Sequence, residues 1–155
     1  MRYFIFLGFL LLALISCGDD SITIALCPAE MAPDPASTPP SGWTLVEYGG
    51  DAHTAAGSYY VRDEALLTEW NIIALKVASQ PEGSKAAVVR LNEYAIRKMK
   101  KFSSDPANIK KPLALSINGR WASFTPLLEA SSDRMTLRGF TPEEAEQLER
   151  YIKTK

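Results

Sequence analysis

The chain has 155 residues, and its 17 Lys and Arg against 18 Asp and Glu give a formal net charge of −1. Hydrophobic residues make up 46% of the sequence, too many for a disordered protein, and the length suits one domain with an appendage. The near-neutral charge disfavours a nucleic-acid-binding protein. Two cysteines and one histidine are too few for a disulfide scaffold or a His-pair metal motif.

The first sixteen residues have the pattern of a secretory signal peptide. Arg2 precedes an uncharged, apolar run from Tyr3 to Ile15, as in the charged and apolar regions of such signals. A helix of this length spans only about 20 Å, which is shorter than the ~30 Å hydrocarbon core of a bilayer. The sequence therefore predicts a cleaved signal over residues 1–16 rather than a permanent membrane span.

The end of this run, Leu14-Ile15-Ser16-Cys17, resembles the lipobox of bacterial lipoproteins. That resemblance implies a diacylglyceryl group on the thiol of Cys17, cleavage just before it and acylation of the new amino terminus. Two or more acyl chains anchor a protein stably to a bilayer, whereas one chain is marginal. The alternative is an ordinary cleaved signal that is followed by a cysteine.

The lipobox resemblance also implies a location. It describes a periplasm-facing protein of the bacterial cell envelope, held on a membrane by its lipid anchor. In many Gram-negative bacteria an aspartate directly after the lipidated cysteine favours retention in the inner membrane. Gly18 stands at that position here, so the outer membrane is favoured over the inner one.

Residues 17–42 are poor in periodic apolar pattern and rich in Pro, Ala, Ser and Asp. This composition favours extended, polyproline-like conformations, and it predicts an acidic tether that holds the domain off the bilayer. Cys27 is expected to be a free thiol in this flexible segment, because acylation would consume Cys17. Without lipidation, a Cys17–Cys27 disulfide is the alternative.

The remaining residues, 43–155, are predicted to form a single domain. Alternating patterns or short apolar runs predict strands at 43–48, 58–61, 73–77, 87–91, 113–117 and 120–124, and around Met135 and Leu137. Apolar stripes predict two main helices, one through Leu91, Ala95, Met99 and Phe102 and one through Ala145, Leu148 and Ile152. Together, these strands and helices predict an α+β fold, in which both helices pack on one face of an antiparallel-rich sheet.

Two short motifs predict local geometry within this domain. Asn118-Gly119 readily takes the positive φ angles of a type I′ turn, so the flanking strands are expected to form a hairpin. Thr141 and Glu144, with Pro142 between them, have the spacing of a capping box at the start of the last helix.

The segments Leu113–Trp121 and Gly139–Ala145, with Pro126 between them, resemble the head subdomain in the first periplasmic region of SecD. SecD is a membrane subunit that assists protein export through the bacterial Sec translocon. The similarity extends over residues 59–152. It implies a periplasmic domain able to contact extended or unfolded polypeptide. It does not imply SecD's motor activity, which belongs to transmembrane helices that this sequence does not have after the signal.

Arg120, Trp121 and Phe124 are the candidate partner-binding residues, because aromatic side chains beside a hairpin can grip apolar side chains of another chain. His53, two residues after Asp51, is compatible with a general base oriented by a carboxylate, but a polar loop histidine is the simpler interpretation. A basic group could attract anionic phospholipid, or form the solvated face of a helix; its members are Arg97, Lys98, Lys100, Lys101, Lys110 and Lys111.

The sequence thus predicts a membrane-anchored envelope lipoprotein that acts by binding protein or peptide, with a role in protein export or handling. We expect no catalytic, cofactor-binding or metal-binding residues, and no nucleic-acid partner. One alternative is a structural or self-protective lipoprotein that binds a single folded envelope protein. A second alternative is a small enzyme that uses His53.

Overall fold

The computed structural model describes residues 21–36, 38–51, 53–128 and 133–155. The predicted signal peptide and Cys17 therefore lie outside the described residues. The elements are β1 (Ile24–Met31), β2 (Trp43–Tyr48), β3 (Gly57–Arg62), β4 (Leu67–Thr68), β5 (Ile72–Ser79), β6 (Lys85–Leu91), α1 (Glu93–Ser103), β7 (Pro112–Ile117), β8 (Arg120–Pro126), β9 (Arg134–Phe140) and α2 (Pro142–Thr154). Short 3-10 helices lie at Glu69–Asn71 and Pro106–Asn108. The antiparallel α+β class is confirmed.

The larger sheet has the strand order β2-β3-β1-β7-β8, with the short β4 also paired to β1. β1 is the central strand, because its residues Ile24–Pro28 pair with β7 on one side and Ala29–Met31 pair with β3 on the other. Asn118 and Gly119 close the β7–β8 hairpin with φ angles of 49° and 80°. Both angles are positive, as the predicted type I′ turn requires.

The remaining strands form a separate sheet with the order β5-β6-β9. The turn around Gly83 joins β5 to β6, and the chain then passes through α1 and the β7–β8 hairpin before β9 returns to pair with β6. The sequence did not predict this division into two sheets. Period-two alternation identifies a strand and its buried face, but it does not identify the strand that lies beside it.

At the start of each helix, the side chain of the capping residue accepts a hydrogen bond from a backbone amide of the first turn. The Asn92 side chain accepts a hydrogen bond of 2.9 Å from the amide of Ala95 at the start of α1. In α2 the amide of Glu144 donates to the Thr141 hydroxyl, and the amide of Thr141 donates to the Glu144 carboxylate, at 3.2 and 2.8 Å. The predicted capping box is therefore confirmed.

Two apolar clusters lie on opposite faces of the central strands. Leu113 and Leu115 of β7 belong to the first cluster, which also contains the buried apolar residues of both helices. The intervening Ala114 belongs to the second cluster, inside the curve of the larger sheet. The curvature is evident from Tyr48 and Phe124, which lie on the two edge strands β2 and β8 and have ring centroids only 4.4 Å apart.

The predicted tether over residues 17–42 is wrong, because this range includes the central strand of the larger sheet. Ile24 is fully buried, and Ile22 and Leu26 are 3% exposed. The alternation from Ile22 to Leu26 is a strand pattern that the surrounding Pro, Ala, Ser and Asp obscured. The domain therefore includes β1 and does not begin at Trp43. Within the described residues, no helix is long and apolar enough to cross a membrane.

Cys27 is a free thiol, but the expected flexible surroundings are wrong, since it lies in β1 and is 4% exposed. Burial, with a smaller contribution from the Asp63 carboxylate, raises the pKa of this thiol from 9.0 to about 11. The contribution of this thiol to the free energy of unfolding is fully present below pH 9.0, where the thiol is protonated in both the folded and the unfolded state. It is lost as the pH rises through about 11.

We therefore expect Cys27 to be inert toward a disulfide reagent such as DTNB near neutral pH, because the thiolate is the reactive form. The measurement uses a Cys17→Ser variant, in which Cys27 is the single remaining thiol. The folded protein should show negligible absorbance change, and unfolding in urea should release one reactive equivalent. Rapid reaction of the folded protein would contradict the buried position of this side chain.

Candidate functional site

Phe124 is not a surface contact residue, and this part of the predicted partner-binding set is wrong. Its side chain is fully buried. Its ring centroid lies 4.6 Å from that of Tyr59, in addition to the contact with Tyr48. The three rings come from β2, β3 and β8, so they hold the curved sheet together. Aromatic pairs at these distances add to the stabilisation that burial provides.

Arg120 makes intramolecular contacts that fasten the β7–β8 hairpin to α2. Its Nη2 lies 2.6 Å from the Glu144 carboxylate and 3.0 Å from the carbonyl oxygen of Gly139, and its Nε lies 3.3 Å from the other Glu144 oxygen. This paired geometry is favourable for a guanidinium and a carboxylate. Trp121 is half-buried and packs against the second cluster, 6.1 Å from the Phe124 ring. Partner binding by Arg120 and Trp121 stays a prediction.

The Asp51 carboxylate is used to organise the loop between β2 and β3. One oxygen accepts hydrogen bonds of 2.7 Å from the amides of His53 and Thr54, and the other accepts from the Tyr48 hydroxyl at 2.6 Å. Although burial acts in the opposite direction, these hydrogen bonds lower the pKa of Asp51. Burial and the bond to Asp51 raise the pKa of Tyr48. Among the described residues, no cluster of three His, Cys, Asp or Glu could hold a metal.

The basic group predicted from the sequence is divided among several ion pairs. Lys98 lies 3.1 Å from the Glu64 carboxylate and donates to the carbonyl of Ala65 at 2.6 Å. Lys111 pairs with Glu30 at 3.4 Å, and Arg97 pairs with Glu93 one turn away. These contacts pair three of the six basic residues with carboxylates. Attraction of the group to anionic phospholipid stays a prediction.

The candidate binding site that the sequence did not identify is a cleft of about 280 Å³ between the two sheets. We call it the β9 cleft. One wall is the edge of β9 from Arg134 to Leu137. The floor includes Leu113 and Leu115 of β7, and Leu128, which is 74% exposed, lies at its mouth. The lining thus combines apolar side chains with polar ones, Ser123 and Thr125 among them.

The backbone of β9 faces this cleft. Among the described strands β9 pairs only with β6, so no described strand pairs with its opposite edge. The hydroxyl of Ser123 donates to the carbonyl of Arg138 at 3.0 Å, which shows that this carbonyl points toward β8. Because backbone groups alternate in direction along a strand, the N–H and C=O of Thr136, two residues earlier, point into the cleft.

Gly139 determines where the cleft closes. Its φ is 87°, and a Cβ at this position would lie 2.5 Å from the carbonyl oxygen of Ala122. Only glycine permits this backbone conformation and so close an approach of β9 to β8. The two strands therefore touch at Ala122 and Gly139 and separate toward Leu128 and Arg134, where the cleft opens.

The cleft depends on residues far apart in sequence, which is why sequence patterns missed it. Met135 and Leu137 mark β9 as a strand, and that much could be predicted. The unpaired edge of β9 could not be predicted, because it depends on β9 pairing with β6 rather than with β8. The available signal was the apolar pair Leu127 and Leu128, which follows directly after β8.

The geometry defines the structural class of this protein: it is an antiparallel α+β domain with two sheets, in which the β9 cleft lies beside the edge of β9. No family model matches the sequence, and no curated protein matches it. Among solved structures, the chain is similar to SecDF, described as a membrane component that enhances protein export. The TM-score is 0.50 at 12% identity, over 81% of this chain and 59% of that one.

A second structure, SecDF in a super-membrane-facing form, matches with the same TM-score of 0.50 and 12% identity, over 81% of this chain and 18% of that one. At this identity the similarity is one of fold. The chain spans less than two thirds of the length of either SecDF chain. The SecD-like fold expected from the sequence is confirmed.

Proposed function

We propose that this protein is a bacterial envelope lipoprotein whose domain binds an extended segment of another polypeptide in the β9 cleft, without catalysis. The observation that carries the proposal is that the backbone of Thr136 points into the cleft, on the edge of β9 that no described strand pairs with. An extended peptide can add to such an edge as a further strand, with main-chain hydrogen bonds giving affinity. The smaller sheet would then continue as β5-β6-β9-peptide.

The wall of the cleft fits a short guest strand. Four residues of β9, Arg134–Leu137, line it, and at about 3.3 Å per residue they extend over about 13 Å. The N–H and C=O of Thr136 are the central donor and acceptor. Every second side chain of the guest would point toward Leu113 and Leu115, because side chains alternate across a strand. The favoured guest therefore has apolar residues at alternate positions.

The cellular role follows from the fold and from the predicted anchor. The fold similarity to SecDF supports a link to protein export, and binding of unfolded segments is the activity that the cleft offers to such a process. The Leu14–Cys17 lipobox supports a lipid anchor on Cys17 and a periplasm-facing position. We assign the protein to the outer membrane in preference to the inner one on the basis of Gly18.

A Thr136→Pro substitution is expected to weaken peptide binding at least tenfold. Proline removes the N–H that faces the cleft, and it is tolerated on an edge strand where that N–H is not used within the sheet. Thr136→Val is the matched control, because it keeps the backbone donor and closely conserves the side-chain shape. The measurement is the fluorescence anisotropy of a labelled, unstructured peptide with alternating apolar residues, titrated with the full-length chain in detergent.

Retained affinity in Thr136→Pro, with unfolding curves equal to those of the unsubstituted protein, would contradict strand addition at β9. Equal losses in Thr136→Pro and Thr136→Val would also contradict it, since the side chain would then be responsible. A protein that leaves unfolded peptides unbound, but captures one folded envelope protein stoichiometrically, would favour the alternative of a single specific partner.

A further inference from the structure

An aromatic and cationic surface lies on the side of the molecule where α2 ends. We call it the Trp70 face, and its residues are Trp70, Tyr94, Tyr151 and Lys155. Trp70 is 65% exposed and Tyr94 is 60% exposed. They lie on neighbouring elements, since the Asn92 side chain, at the start of α1, donates to the carbonyl of Trp70 at 3.4 Å. Large aromatic side chains at this exposure are costly to keep in water.

Lys155 is held against this surface by several contacts. Its ammonium donates to the carbonyl of Trp70 at 2.7 Å. The same nitrogen lies 5.6 Å from the ring centroid of Trp70 and 5.8 Å from that of Tyr151. The two rings are themselves in edge contact, with centroids 6.2 Å apart. The Trp70 face is therefore an ordered group of rings and a cation, with the indole still open to the surroundings.

The Trp70 face lies on the same side of the domain as the first residues that the structure describes, Ser21 to Ile24. The Glu69 carboxylate, one residue before Trp70, accepts a hydrogen bond of 2.9 Å from the amide of Ile24. The Gln147 side chain donates to the carbonyl of Ser21. Gln147 lies one turn before Tyr151 on α2, so Ser21 and the Trp70 face are on the same side of the domain.

The distance between the predicted anchor and the fold is short. Cys17 and Ser21 are four residues apart, and even a fully extended chain covers at most about 3.6 Å per residue, or about 14 Å. A lipid on Cys17 would therefore hold Ser21, and the surface beside it, close to the headgroups. The expected long tether would have removed this constraint, but β1 occupies that part of the sequence.

We propose that the Trp70 face docks onto the lipid surface to which Cys17 is anchored, which fixes the orientation of the domain on the membrane. This inference rests on the proposed lipidation of Cys17. Tryptophan and tyrosine are enriched at membrane interfaces, where their rings sit at the level of the headgroups. Lys155 adds attraction to anionic lipid. Because the anchor supplies an effective concentration on the order of millimolar, weak contacts are sufficient.

The test uses the full-length lipidated chain in vesicles of phosphatidylethanolamine and phosphatidylglycerol, with acyl chains brominated near the headgroup. Bromine quenches tryptophan fluorescence on contact. We expect bromine-dependent quenching in the unsubstituted protein and loss of most of it in Trp70→Phe. Trp43→Phe is the matched control and should retain the quenching, because Trp43 lies on β2, an edge strand of the larger sheet, and is not part of the Trp70 face. Mass measurement of the same preparation reports whether Cys17 carries acyl chains.

Acylated protein that shows no Trp70-dependent quenching overturns the docking and leaves the anchor in place. Trp70 that is shielded from an aqueous quencher, yet untouched by brominated lipid, indicates a protein partner or a second copy on this face and also overturns the docking. An unacylated Cys17 overturns the anchor together with the docking. Peptide binding in the β9 cleft is measured independently of all three outcomes.

Discussion

Replacing Phe124 with alanine is expected to lower the free energy of unfolding by about 3–5 kcal/mol, the usual cost of truncating a buried aromatic side chain. Phe124 is fully buried, and its ring contacts those of Tyr48 and Tyr59 from the opposite side of the curved sheet. The loss of this ring would leave a cavity that neither tyrosine can fill without releasing its own hydrogen bond. Equilibrium unfolding in urea, followed by circular dichroism, measures the change.

The control for Phe124→Ala is Tyr94→Ala, which removes an aromatic side chain that is 60% exposed. Substitutions at such positions usually change stability by no more than about 0.5 kcal/mol. If Phe124 were instead the contact residue predicted from the sequence, Phe124→Ala would bind peptide less well and unfold like the unsubstituted protein. That pair of results would contradict the structure of the second cluster.

Ile24→Ala is expected to cost about 2–5 kcal/mol, because Ile24 is fully buried in the first cluster and lies in the central strand β1. A tether over residues 17–42 would make the same substitution neutral. Met31→Ala is the matched control, since Met31 lies in the same strand but is 64% exposed. The urea midpoints of the two variants distinguish a core strand from a tether. Equal midpoints for Ile24→Ala and Met31→Ala would support the tether.

Phe124→Ala and Ile24→Ala also test whether stability and peptide binding depend on different residues. Phe124 and Ile24 lie in different clusters, and neither lines the β9 cleft. At a urea concentration well below either midpoint, both variants should therefore bind peptide like the unsubstituted protein. Thr136→Pro should behave in the opposite way, with weakened binding and little loss of stability.

The position of β1 changes how the anchor would act. A long flexible tether lets a domain sample many orientations above the bilayer, whereas the four-residue separation of Cys17 and Ser21 would restrict a domain anchored at Cys17 to fewer. The β9 cleft, Trp70 and Ser21 belong to one domain. An oriented domain would present the cleft to incoming polypeptide at a fixed height and angle.

Local chemistry was enough to predict much of this fold from the sequence. The Asn118-Gly119 turn and the Thr141–Glu144 capping box depend on side chains next to one another in the chain. The strand at Trp43–Tyr48 was likewise predicted within the limits the structure has. The turn and the capping box are stabilised by hydrogen bonds or steric preferences that span a few residues, so the sequence determined them by itself. The strand was identified by its local pattern, although its partner β3 was not.

The tertiary structure decided the features that depend on distant partners. Ile24 is a strand residue because it pairs with Ile117 of β7, while the next residues, Ala25 and Leu26, also pair with β4 on the other side. Phe124 is buried because the sheet curves and brings Tyr48 over it. The edge of β9 is open because β9 pairs with β6 in a second sheet. Sequence periodicity records which face of a strand is apolar, but pairing and curvature arise only when the whole chain packs.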